Sequence, residues 1–517
     1  MSNDGRAAGP IRAGLIALVA LAGVGPGAGA KPLSAIDWLS RSVELPAKPV
    51  RPPVRPGLAQ PVGIAVTELG STGLDALGLL RPAVTGLPVG LWSASTTDDL
   101  IARLKATPDQ LLPALQDLLY TLLLAEADPP SDSGAAGRFF LARVDRLLDF
   151  GALDQAQGML EQSGTGQPSL FRRWFDVELL LGQTQQACRA MQRAPEVAPT
   201  LPARIFCLGR LGDWSAAAIT LTSARALGVL TPTYEAVLTR FLDTAGDETA
   251  KRLDPPDRPS PLIWRMMEAI GEPLPTTTLP PAFAQADLSG RAGWKAQVTA
   301  AERLARLGAI QANQLIGIYT EGRPSASGEP WDRVAAVQAL DAALRKRDRA
   351  GVEKTLPAAW QAMSQAGLGV PFAAFYASAL TQMRLPGSAG ALAFRIGLLS
   401  PDAAVVADNR KPQTAEEAFL IGLAHGNVTG QSAPDATGGA IAAGFAPGAT
   451  PGPELDALLA QGKSGEAILS ALARISHGRE GDLGGISAGL ALLRKTGLDQ
   501  YARRAALQLM LLPRRAN

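Results

Sequence analysis

One short motif recurs at the spacing of a helical hairpin. Gly151 is followed five positions on by Ala156, Gly182 by Ala187 and Gly212 by Ala217. The three glycines lie about thirty residues apart, a period that predicts stacked helical hairpins. Glycine suits the turn because it has no Cβ to clash at positive φ. Alanine in the first turns of the next helix lets the two helices approach closely. Apolar residues at helical spacing precede each glycine: Val144, Leu147 and Leu148; Trp174, Phe175 and Leu179; Ile205, Leu208 and Leu211. A second apolar face follows with Met159 and Leu160, Met191, and Ile219 and Leu221. A lone hairpin leaves one face uncovered, so neighbours must stack. The motif returns near the end as Gly462 with Ala467 and Gly497 with Ala502. The predicted fold class is all-α, a solenoid of stacked hairpins with an irregular Pro/Gly-rich N-terminal arm.

These residues resemble the tetratricopeptide repeat family. That family has Gly at the turn, an aromatic two residues on and Ala five residues on. Gly212, Trp214 and Ala217 match all three positions, and the other four copies match Gly and Ala. The resemblance implies a superhelix whose concave surface binds peptides or proteins, and it brings no catalytic set. Three further segments, 171–176, 202–207 and 394–400, are similar to exported proteins of alphaproteobacteria. Some of those carry the label "antifreeze glycopeptide polyprotein". This chain has neither an Ala-Ala-Thr array nor the regular Thr ladders of ice-binding β-structure.

The chain of 517 residues has room for a long solenoid or two to four domains. Residues 1–30 read as a secretory signal peptide. Arg6 and Arg12 supply positive charge, residues 13–25 a short apolar run, and Ala28 and Ala30 an Ala-x-Ala cleavage site before Lys31. The other reading is a membrane anchor, for which the run is short. Cleavage predicts a mature protein in the periplasm or secreted, with no transmembrane segment left. Residues 31–57 form a Pro-rich linker carrying Lys48, Arg51 and Arg55, either a spacer or a ligand for a partner groove. Residues 58–96 form the irregular arm, with a short strand suited to 62–67. Residues 97–408 form the α-helical repeat domain. Helices are expected after Thr96-Thr97-Asp98 and again after Thr107-Pro108-Asp109. Residues 409–453 are the most Gly- and Ala-rich and predict a loop region, with a mobile loop over 426–439 and a domain boundary. Residues 454–517 predict the closing helical hairpins.

Most chemistry is excluded. The net charge of +2 gives no basic face for nucleic acid. The two His, His425 and His477, and two Cys do not supply the three or four ligands of a zinc site. Gly485-Ile486-Ser487-Ala488-Gly489 fits a nucleophile-elbow pattern, but it lies in a helical run rather than on a strand-to-helix turn. Glu416 and Glu417 suit a solvated helix start. No phosphate-binding Gly-rich loop follows a strand, so no cofactor is expected. Trp174, Trp214, Trp264, Trp294, Trp331 and Trp360 recur in helices, either as core between layers or lining a groove.

Cys188 and Cys207 fall on two helices joined by a turn holding Pro195, Pro199 and Pro202. Antiparallel helices set the two thiols at similar heights, and an oxidising compartment favours a disulfide. The alternative is two buried free thiols. The function this implies is a non-catalytic scaffold for protein–protein contacts in the cell envelope, with a protein or peptide partner. The rivals are an envelope-polymer enzyme of the lytic-transglycosylase kind and a lipid or peptide carrier.

Overall fold

Each of the five motif glycines ends a helix in the left-handed region, with φ of 74° at Gly151, 83° at Gly182, 93° at Gly212, 74° at Gly462 and 80° at Gly497. Each closes the same pair of hydrogen bonds. At Gly212 the Asp213 N–H donates to the Leu208 carbonyl at 2.9 Å, and the Gly212 N–H to that of Gly209 at 3.1 Å. These bonds satisfy the last carbonyls of one helix and turn the chain into the next. Asp213 then caps the following helix, its carboxylate accepting from the Ala216 N–H at 3.1 Å. Ala156, Ala187, Ala217, Ala467 and Ala502 have no exposed surface.

The computed structural model describes residues 73–243, 251–478 and 480–513. Among the described residues are 25 α-helices, two short 3₁₀ segments and no strand; one isolated bridge joins Leu80 to Ala125. The fold is all-α. The expected signal peptide with Ala28 and Ala30, the Pro-rich linker and the strand near 62–67 lie outside the described residues. No described helix is long and apolar enough to cross a membrane.

Side-chain caps set several helix starts. Thr96 caps Thr97–Ala106, Thr200 caps Leu201–Arg210 and Thr231 caps Pro232–Leu242. The start expected at Thr107-Pro108-Asp109 falls instead at Pro113. Arg146 explains the shift: it ion-pairs with Asp109 at 2.8 Å and donates to the Thr107 carbonyl at 2.7 Å, holding that turn open. Pro113 then takes the first helical position.

Where composition predicts a Gly/Ala-rich loop region over 409–453, the structure has two helices, Ala415–His425 and Ala436–Phe445. The expected mobile loop at 426–439 narrows to the connection between them. Thr414 and Asp435 cap the two helices. Gly444 serves packing. A Cβ at Gly444 would lie 2.9 Å from the Ser487 carbonyl oxygen, so the glycine lets Ala436–Phe445 lie directly on Leu483–Lys495.

The last helices pack on the first. Asp499–Leu511 lies on Pro113–Leu124, where Arg504 ion-pairs with Asp117 at 2.6 Å and the Tyr501 and Thr121 hydroxyls are 3.1 Å apart. Ser464–Gly478 lies on Thr97–Ala106, and the Gly465 N–H donates to the Leu91 carbonyl at 3.1 Å. All described residues belong to one compact unit.

The arm is tied in by Arg143, which is fully buried. Its guanidinium donates to the carbonyls of Ala125 at 2.9 Å, Leu123 at 3.3 Å and Asp75 at 3.1 Å, and also to that of Leu77. The Asp75 carboxylate accepts from the Phe140 N–H and the Ser133 hydroxyl, both at 2.7 Å. Burial pulls the Arg143 guanidinium down to about 10.

Candidate functional site

The second motif turn opens onto a cavity of about 630 Å³. Pro168–Leu181 ends at Gly182, and Thr184–Arg193 begins at once; residues 182–186 form one wall. Leu201–Arg210 contributes Phe206 and Arg210, and Pro261–Ala269 contributes Arg265, Glu268 and Ala269. Arg189 and Arg291 complete the lining. A Cβ at Gly182 would sit 2.7 Å from Arg291 Nη2, so the bare glycine makes room for that guanidinium.

The disulfide lies in the same walls. Cys188 and Cys207 are at bonding distance, with sulfurs 2.01 Å and Cα atoms 4.9 Å apart, inside the range a disulfide needs. Cys188 precedes Arg189 in one helix, and Cys207 stands one turn before Arg210 in the other. The staple therefore fixes the spacing of two cavity arginines. Both cysteines are buried.

The cavity carries four arginines and one acid. Arg265 uses its charge internally. It is buried, ion-pairs with Glu268, stacks 4.9 Å over the Trp264 ring and donates to the Leu179 carbonyl. Burial lowers the Arg265 pKa; Glu268 opposes that shift, and the nearby Arg291 and Arg210 add to it.

A second cavity of about 510 Å³ is built differently. Its Arg146 pairs with Asp109 at 2.8 Å and Asp149 at 3.5 Å, its Arg173 with Asp145 at 2.5 Å, and its Arg138 with Asp98 at 2.5 Å. Those arginines are neutralised where they stand.

Buried acids with acid–base potential lie elsewhere. Glu302 accepts from both Arg333 nitrogens at 2.8 and 2.9 Å, from Arg306 at 3.0 Å and from the Tyr319 hydroxyl at 2.7 Å. Burial pushes Asp176 up to about 7 against the pull of Arg172 and Arg173. It does the same to Glu178 against a hydrogen bond from Gln157. None of these acids lines either cavity.

The other sequence candidates are dispersed. Gly485–Gly489 lies inside the helix Leu483–Lys495, and the Ser487 hydroxyl donates to the Gly484 carbonyl. His425 ends its helix 3.3 Å from Asp408, and His477 sits in the last turn of Ser464–Gly478. Glu416 and Glu417 pair with Arg395 and Arg410. Among the described residues no group of His, Cys, Asp and Glu could hold a metal. Trp174, Trp264 and Trp331 are core, Trp294 and Trp360 are half-buried, and Trp214 is 42% exposed.

Three turns escape the Gly-to-Ala spacing. Gly367, Gly481 and Arg347 also take positive φ, and Phe372, Ile486 and Val352 fill the buried position five residues on. The arginine cavity escapes it as well, since its charges come from four segments with no common spacing. Compared with known proteins, the chain matches no family model, no curated protein and no solved structure.

Proposed function

We propose that this is an exported, tetratricopeptide-like helical repeat protein that scaffolds protein–protein contacts in the cell envelope. The contact face is the helix Trp214–Ala226. One observation carries the reading: this helix buries only Ala217, Leu221 and Ala224, yet Arg225 is its single charged residue. A helix exposed over most of its circumference ordinarily carries charge on its outer face. Here the outer face holds Ser215, Ala218, Ile219, Thr222 and Ala226, with Ile219 68% exposed. Exposed Leu227 and Val229 extend it. Small and apolar side chains of this kind suit close packing against a helix of another protein.

Two further observations favour binding over an envelope-polymer enzyme or a lipid carrier. The buried Glu302 beside Tyr319 is held by Arg333 and Arg306 rather than facing a cavity. The larger cavity is lined by charge rather than by the apolar wall a lipid chain needs.

The test compares immobilised parent protein with Ile219→Asp on detergent-solubilised envelope fractions. A partner retained by the parent and released by the variant supports the scaffold reading. Equal retention, or none, contradicts it.

A further inference from the structure

We propose that the disulfide-stapled arginine cavity is a binding site for a multivalent phosphoryl anion, distinct from the Trp214–Ala226 face. Arg189, Arg210 and Arg291 line the cavity with exposed side chains, and those side chains make no hydrogen bond or ion pair among the described residues. The one acid present, Glu268, is already paired with Arg265. Guanidinium groups keep their charge at any ordinary pH, so gathering them without acids is unfavourable until an anion joins them. The second cavity supplies the contrast, since Arg138, Arg146 and Arg173 there each meet an aspartate.

The chemistry of the walls points to phosphate. Four guanidiniums against one carboxylate leave an excess of three positive charges, which a single carboxylate would not balance. The planar fork of arginine donates two parallel hydrogen bonds to phosphoryl oxygens. The N-terminus of Thr184–Arg193 adds backbone donors: Gln183 gives that helix no side-chain cap, and Thr184 and Gln185, at its first two positions, line the cavity. A volume of about 630 Å³ exceeds what one phosphate fills and falls in the range of small-molecule sites. The Cys188–Cys207 bond holds two of the arginine-bearing helices in place, so the site is preformed. The ligand class is a phosphate ester, and either a soluble phosphoester or the headgroup of an anionic lipid presents that chemistry.

The experiment titrates the oxidised full chain with inorganic pyrophosphate at constant ionic strength, with chloride as the matched control. A parallel arm floats the protein with vesicles of phosphatidic acid or of phosphatidylcholine. The variants are Arg210→Gln with Arg291→Gln, whose side chains are exposed, and Arg138→Gln from the other cavity as the control. Saturable pyrophosphate binding, weakened about tenfold or more in the double variant and unchanged in Arg138→Gln, supports the site. Pyrophosphate binding without flotation assigns it to a soluble ligand. Flotation on phosphatidic acid alone, lost in the double variant, assigns it to a lipid headgroup. Binding or flotation that the double variant retains in full overturns the proposal, as does the absence of both.

Discussion

Gln508, in the last helix, caps the helix that begins at Pro113. Its Oε1 accepts the Ala114 N–H at 2.9 Å across 394 residues, and both residues are buried. Pro113–Leu124 has no side-chain cap of its own, because Leu112 stands at the capping position. The far end of the chain supplies the missing acceptor. Gln508→Leu leaves a buried N–H unpaired and should cost about 1–3 kcal/mol. Urea unfolding with an unchanged m-value measures it; a parental midpoint would contradict the closure.

The motif glycines separate two costs. Gly212 has positive φ and open space around it, whereas a Cβ at Gly151 would also meet Leu304 and the Pro281 backbone within about 3 Å. Gly212→Ala should cost about 1 kcal/mol from φ alone, and Gly151→Ala more. Ala217→Glu should exceed both, since it buries a charge at a helix contact. Thermal melts rank the three, and equal midpoints would refute the assignment.

The local half of this fold was legible, and the long-range half was not. Gly and Ala spacing marks five turns because each turn is a short backbone event with a residue preference. Arg347 makes the same turn with φ of 54°, and no composition rule finds it. Glycine in 409–453 reads as loop because glycine disfavours helices, yet Gly444 is there to let Ser487 approach. Cys188 and Cys207 were a unique pair, so their proximity could be argued from the turn between them. The arginine cavity could not, because Arg189, Arg210, Arg265 and Arg291 meet only after four segments pack. Gln508 and Ala114 meet for the same reason.

The Cys188–Cys207 bond closes a loop with a sequence separation of 19. In the chain-entropy account, a loop of that size contributes roughly 3 kcal/mol. Denaturation with and without reductant should differ by about that amount, and Cys188→Ala with Cys207→Ala should match the reduced parent. Two alkylated thiols in the unreduced protein would refute the staple.

Asp176 makes stability fall as pH rises. Its pKa is raised to about 7 in the folded chain from 3.8, so the folded state holds a proton that the unfolded state has released. The stabilisation is complete below pH 3.8 and declines until the pH passes about 7. Asp176→Asn removes that slope. Its melting temperature should gain on the parent from pH 4 to pH 7, and the gap should be constant above. A gap independent of pH would contradict the buried, protonated carboxyl.

The scaffold claim is tested most directly by a photo-crosslinking residue at Ile219 in the living cell, with Val405, 59% exposed on a different helix, as the control position. The account predicts one discrete adduct from Ile219, formed after export with the mature chain beginning at Lys31, and none from Val405. No adduct from Ile219, or the same adducts from both positions, would contradict it.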